Sequence, residues 1–77
     1  MSEISNSYVA RIGETAGLVW HALHANGPLN LSQLVKKLER PRDEVMQAIG
    51  WLAREDKLVF MDRGRARLVA LKEQAGA

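Results

Sequence analysis

Three features of the sequence predict a mainly helical α+β domain, with three helices followed by a two-stranded β-hairpin. Apolar residues recur at helical spacing in three segments before Lys57, a cap signal or a proline separates those segments, and after Lys57 the apolar pattern becomes extended around a glycine turn. With 77 residues the chain has room for one small domain, which buries only about 60% of the surface its unfolded form exposes. Hydrophobic residues at 47% and charged residues at 26% match ordinary globular domains and argue against wholesale disorder. The absence of Cys removes disulfides, thiolate zinc sites and thiol nucleophiles together. Stability must then come from packing or self-association.

Ile12, Ala16, Val19 and Leu23 form the stripe of a first helix, expected from about Tyr8 to about Ala25, with Asn26-Gly27 as its cap and Gly27-Pro28 as its stop. Asn30 and Gln33 have the spacing of a capping box, because the Asn side chain can accept a free backbone N–H while Gln reaches back. They open a short second helix with Leu31, Leu34, Val35 and Leu38 inward, ending near Leu38 or Glu39 before Pro41. Pro41 suits the first position of a third helix. There Val45, Ala48, Ile49 and Leu52 face inward, Arg42, Asp43, Met46, Gln47 and Arg54 face outward, and the end is expected near Asp56 or Lys57. Leu58 to Met61 and Ala66 to Leu71 read as two strands joined at Asp62-Arg63-Gly64-Arg65, apolar on both faces near the base. Leu29 is a candidate for a short third strand. One domain is expected over 1–77, with its ordered core at about 8–72 and both tails frayed.

Three helices, the second and third joined by a short turn, followed by a hairpin that cannot bury itself alone, make the arrangement of a winged helix-turn-helix domain. The stretches Gly27-Pro28-Leu29-Asn30-Leu31-Ser32-Gln33-Leu34 and Glu44 to Lys57 also resemble a family of small, stand-alone bacterial and archaeal winged helix-turn-helix proteins that has no firmly assigned activity. The resemblance covers about residues 10 to 71, and Ile12-Gly13-Glu14-Thr15-Ala16-Gly17 and Gly50 to Asp56 are its specific parts. It implies the fold more firmly than a function.

The formal net charge is only +2, but it is unevenly spread. Residues 31–40 and 56–67 each carry an excess of two positive charges, whereas 1–30 and 41–55 each carry a net negative one. Local basic patches are what a polyanion meets. In a winged helix the third helix reads base edges in a major groove while the wing touches the backbone or the minor groove. Arg42 and Gln47 can read guanine or adenine edges, but Asp43 and Glu44 in the same first turn repel phosphate. Both acids also suit a helix N-terminus without any function. Arg63, Arg65 and Arg67 at the wing turn carry the stronger case for nucleic acid, and Lys36, Lys37 and Arg40 can add phosphate contacts. Solvated faces and helix-dipole complementarity account for the same cations without a ligand.

His21 and His24 lie one turn apart, but no carboxylate-and-His cluster completes a metal site, so no metal or cofactor is expected and the two are read as surface or boundary residues. Glu14, Glu55 and Asp56 make no acid and base pair with a nucleophile, and there is no phosphate-binding glycine loop, so no enzyme is expected. Gly50 interrupts the third helix, where Gly costs about 1 kcal/mol against Ala, which suggests a neighbour close to the backbone. Trp51 beside it is expected against the first helix at Gly13 and Gly17, or against another chain. Trp20 poses the same question, and a homodimer through Trp20, Gly50, Trp51 or the hairpin would answer it. Double-stranded DNA and a second copy are therefore the candidate partners. The leading reading is a DNA-binding, transcription-associated module, and the alternative is a protein-interaction or assembly module on the same scaffold. Lacking a membrane-length apolar run or a signal-peptide pattern, the chain is expected in the cytoplasm.

Overall fold

The computed structural model describes residues 2–75, with side chains from 7 to 73. The order of elements is α1 (Ser2–Asn26), β1 (Leu29–Asn30), α2 (Leu31–Leu38), α3 (Arg42–Arg54), β2 (Leu58–Arg63), β3 (Ala66–Leu71) and a single turn, α4 (Lys72–Ala75). The three strands form one antiparallel sheet in the order β1-β3-β2. Leu29 pairs with Val69 and Asn30 with Leu68, so the short third strand forms and the sheet has one strand more than a hairpin.

The caps follow the local chemistry. At the end of α1, Gly27 takes φ 79° and its N–H donates to the Leu23 carbonyl at 2.8 Å, closing the helix through a left-handed residue that costs Gly nothing. The capping box of α2 is complete: Asn30 Oδ1 accepts the Gln33 N–H at 2.8 Å, and Gln33 Oε1 accepts the Asn30 N–H at 2.9 Å. Glu39, in the left-handed region at φ 54°, ends that helix. Pro41 is not the first helical residue but the N-cap of α3, because its ψ of 143° is extended while its carbonyl accepts the first helical bond from Val45 N–H. The fixed φ of proline serves either position, and here ψ decides. Asp43 accepts the Glu44 N–H, satisfying a donor that Pro41 has no side chain to meet. The helix stops at Arg54, short of the expected Asp56 or Lys57, because Asp56 turns left-handed at φ 61°. At the other end of the chain, α1 runs back to Ser2, six residues before the start expected at about Tyr8.

A two-residue loop, Gly64-Arg65, joins β2 to β3. Positive φ is confined to Gly64, at 62°, as a loop with Gly in its first position allows. The inner sheet face sends Leu58, Val69 and Leu71 into a core with Leu29, Leu34, Val45, Ala48, Ile49, Leu52 and the α1 stripe Ala16, Val19 and Leu23. The outer face carries half-buried Val59, Met61 and Leu68. Both strand faces are thus apolar near the base, with the helices on one side. No helix among the described residues is long and apolar enough to cross a membrane.

Candidate nucleic-acid interface

The second and third helices bring the expected reading helix to the surface. Val45, Ala48, Ile49 and Leu52 are buried, which leaves Arg42, Asp43, Met46, Gln47, Gly50 and Arg54 exposed along the opposite side of α3. The wing adjoins this face. Met46, Ile49 and Gly50 of α3 and Phe60, Arg67 and Val69 of the hairpin line one groove of about 460 Å³.

Glu44 is the residue that sequence reasoning misplaced. It does not present its charge to the outside beside Asp43, because its side chain turns inward and is nearly buried. Arg11 Nε donates to Glu44 Oε1, the hydroxyl of the fully buried Thr15 donates to Oε2 at 2.8 Å, and Arg40 Nη1 donates to Oε2 at 3.1 Å. Arg40 Nη1 also donates to the Thr15 hydroxyl at 3.0 Å, and its other terminal nitrogen lies 3.6 Å from Glu14. The hydrogen bond from Arg11, reinforced by those from Thr15 and Arg40 against the cost of burial, holds the Glu44 carboxyl at about 2, well below its ordinary value. The same hydrogen bond raises the Arg11 guanidinium above its own. This network ties α1 to the start of α3 and removes one of the two acids expected to oppose phosphate. A threonine on the buried side of α1, one residue before Ala16, was the only mark of it in the sequence.

The predicted cations fall into two groups. Arg40 is committed to the Glu44 network, and Arg67 Nε is bonded to Asp62 across the hairpin at 3.0 Å. Lys36 and Lys37 at the end of α2, Arg42 at the start of α3, and Arg63 and Arg65 at the wing turn are exposed and make no ion pair or side-chain hydrogen bond among the described residues. Arg54 at the end of α3 is in the same condition. Gln47 is exposed one turn before it.

Both indoles pack against their own chain, though Trp51 stays 37% exposed. Trp51 lies over α1, with Cη2 and Cζ2 both 3.7 Å from where a Cβ on Gly13 would stand. That is ordinary contact distance, so the indole meets the first helix as expected without needing a glycine gap. Trp20 is half-buried against the core, stacked on His24 at 4.8 Å between ring centroids and edge-on to His21 at 5.3 Å. Nothing lies within 4 Å of a Cβ built on Gly50, so the close neighbour expected there is not found among the described residues. Gly50→Ala should therefore stabilise the isolated chain by up to about 1 kcal/mol, read as a higher urea midpoint. A lower midpoint would show that something does occupy the space.

The fold and the length of the match decide the family. The winged helix-turn-helix domain family DUF2582 matches residues 5–71. The chain belongs to that family. The uncharacterized protein MJ1608 of Methanocaldococcus jannaschii is 42% identical over 65 residues, which cover 80% of this chain and 91% of the archaeal one. The solution NMR structure of protein BT2368 from Bacteroides thetaiotaomicron matches with a TM-score of 0.77 at 29% identity, over 86% of this chain and 80% of that one. The fold is thus shared with a bacterial protein of solved structure, and winged helix-turn-helix domains commonly bind DNA.

Proposed function

We propose that the chain is a DNA-binding module, transcription-associated in role, that grips phosphate with the wing and the end of α2 and sets the start of α3 against base edges. The observation that carries this reading is the division of charge. Glu44 is neutralised inside the fold, while Lys36, Lys37, Arg42, Arg63 and Arg65 stay exposed and unpaired on the helix-turn-helix and the wing. Unpaired surface cations release counterions from DNA without first giving up a protein partner. Arg67 and Arg40 would have to break internal ion pairs, so they contribute less.

Titration of labelled mixed-sequence duplex DNA at several salt concentrations tests the reading. Each phosphate contact steepens the plot of log affinity against log salt by about 0.9, so an Arg63→Ala, Arg65→Ala variant should flatten it by up to about 1.8. Arg42→Ala or Gln47→Ala should instead reduce discrimination between sequences by about 1–3 kcal/mol. No binding by the parent chain at low salt would end the proposal.

One observation favours the assembly reading as a second function. Met46 is 49% exposed and Phe60 50% exposed on the walls of the same groove, with bare backbone at Gly50 between them. A solvated groove has no use for two large apolar walls, whereas a second protein chain does.

A further inference from the structure

The sheet ends in an unprotected edge. With the order β1-β3-β2, strand β2 has a neighbour on one side only. The register of the hairpin fixes which backbone groups are left over. Arg63 and Ala66 flank the two-residue loop and form its closing hydrogen-bonded pair, and the alternation continues through Met61 with Leu68 and Val59 with Ala70. One pair further along, the Lys72 N–H donates to the Lys57 carbonyl at 2.9 Å, in phase with that pattern. Leu58, Phe60 and Asp62 therefore aim both N–H and C=O away from β3, at the open edge. The pairing runs without a bulge from Leu58 to Arg63, and no proline or lysine stands within the strand. Bulges, prolines and lysines are devices by which edge strands avoid pairing, and the charges this strand does carry, Asp62 and Arg63, stand at its loop end, leaving Leu58 to Met61 apolar.

We propose that this edge is a self-pairing interface, in which β2 of a second copy adds antiparallel to β2 about a two-fold axis through Phe60. It rests on the assembly reading and is independent of DNA binding. The occupant follows from the symmetry of the free groups. Leu58, Phe60 and Asp62 are evenly spaced about Phe60, so the one antiparallel register that uses all three sets Phe60 opposite Phe60 of the second copy and Leu58 opposite Asp62. That register makes three hydrogen-bonded pairs and joins two three-stranded sheets into one of six. Side chains on strands paired this way stay on a common face. The two half-exposed Phe60 rings thus meet beside the mouths of both grooves, where Met46 and Gly50 offer apolar surface and bare backbone. At either end Arg63 comes opposite Lys57, whose ammonium is already paired with Glu55 of its own chain at 3.5 Å, which offsets part of the like-charge repulsion. Salt screens that repulsion, and the pairing does not weaken as salt rises.

Sedimentation of the full chain from micromolar to millimolar concentration, combined with amide hydrogen exchange, tests the interface. The expected result is a mass that rises from 8.6 kDa toward twice that value. The amides of Leu58, Phe60 and Asp62 gain protection over the same range, while those of Val59, Met61 and Arg63 are protected throughout. Phe60→Pro deletes an N–H that the single chain does not use, at an edge position where proline is tolerated, and should raise the dissociation constant about tenfold or more. Phe60→Glu, which opposes two carboxylates at the axis, should do the same in a chain whose circular dichroism is unchanged. A chain that stays at 8.6 kDa at every concentration overturns the proposal and leaves DNA binding standing. A dimer whose Leu58, Phe60 and Asp62 amides stay unprotected, or which both variants leave intact, overturns the edge assignment while self-association stands.

Discussion

Leu34→Ala is expected to cost about 2–5 kcal/mol, the range for emptying a fully buried leucine site. A domain of 77 residues has about 4–12 kcal/mol in total, so this single change takes a large share of the stability and unfolds the chain outright at the lower end. The position is critical because α2 is only eight residues long and Leu34 is its one fully buried side chain. Leu31, Val35 and Leu38 pack on the core only from its margin. The capping box and the left-handed Glu39 define where α2 starts and stops, but they do not hold it against α1 and α3. Without Leu34 the second helix loses its anchor, and with it the angle that carries Arg42 and Gln47 to the surface. Urea unfolding of Leu34→Ala beside Leu34→Met separates this from a general sensitivity to substitution, because the Met variant keeps the volume and should lose less than about 1.5 kcal/mol. Equal losses in the two variants would show that shape at the site, rather than the filled volume, holds α2.

What could be read from the sequence was what leaves a local mark. Helix stripes, the Asn30 and Gln33 box, the Gly27 cap and the change of period after Lys57 are all signals within a few residues, and each located its element, though α1 starts earlier and α3 ends sooner than its stripe implied. The fold class followed from their order. The start of α1 was not legible, because Ser2 to Ser7 carry almost no apolar periodicity and are nonetheless helical. The Glu44 network was invisible for a different reason. Its bonds to Thr15 and Arg11 join residues 29 and 33 positions apart, and local rules assign Glu44 to the dipole of its own helix. Arg40 was read as a phosphate contact for the same cause, since nothing nearby in the chain shows that a buried carboxylate claims it. The contact of Trp51 with α1 could be foreseen from indole size and the glycines facing it, but not that a Cβ at Gly13 would meet the indole at ordinary contact distance.

Acid should therefore weaken the fold through Glu44. Its carboxyl titrates near 2 in the folded chain against an ordinary 4.5, so folding favours the ionised form. The sign follows from proton counting. Between those two values the unfolded chain binds a proton at this site that the folded chain does not, so stability rises with pH across the window and is lost as pH falls through it. Above about 4.5 the contribution is complete, and below about 2 it is gone. The groups that set this window are Arg11 and Thr15 on α1 and Arg40 from the turn before α3; Glu14, beside Arg40, and Asp43, which accepts the Glu44 backbone N–H, are the other charged groups nearby. Glu44→Gln keeps the shape and removes the charge. The variant should be less stable than the parent at pH 7, because Arg11 and Arg40 lose their shared anion, and its stability should fall less steeply between pH 4.5 and 2. Thermal or urea unfolding at stepped pH reads both effects, and the two curves should converge at the acid end. Parallel curves for parent and variant would show that Glu44 is not the group whose protonation loosens the fold. A variant as stable as the parent at pH 7 would show that the ion pairs across α1 and α3 contribute nothing to holding the reading helix in place.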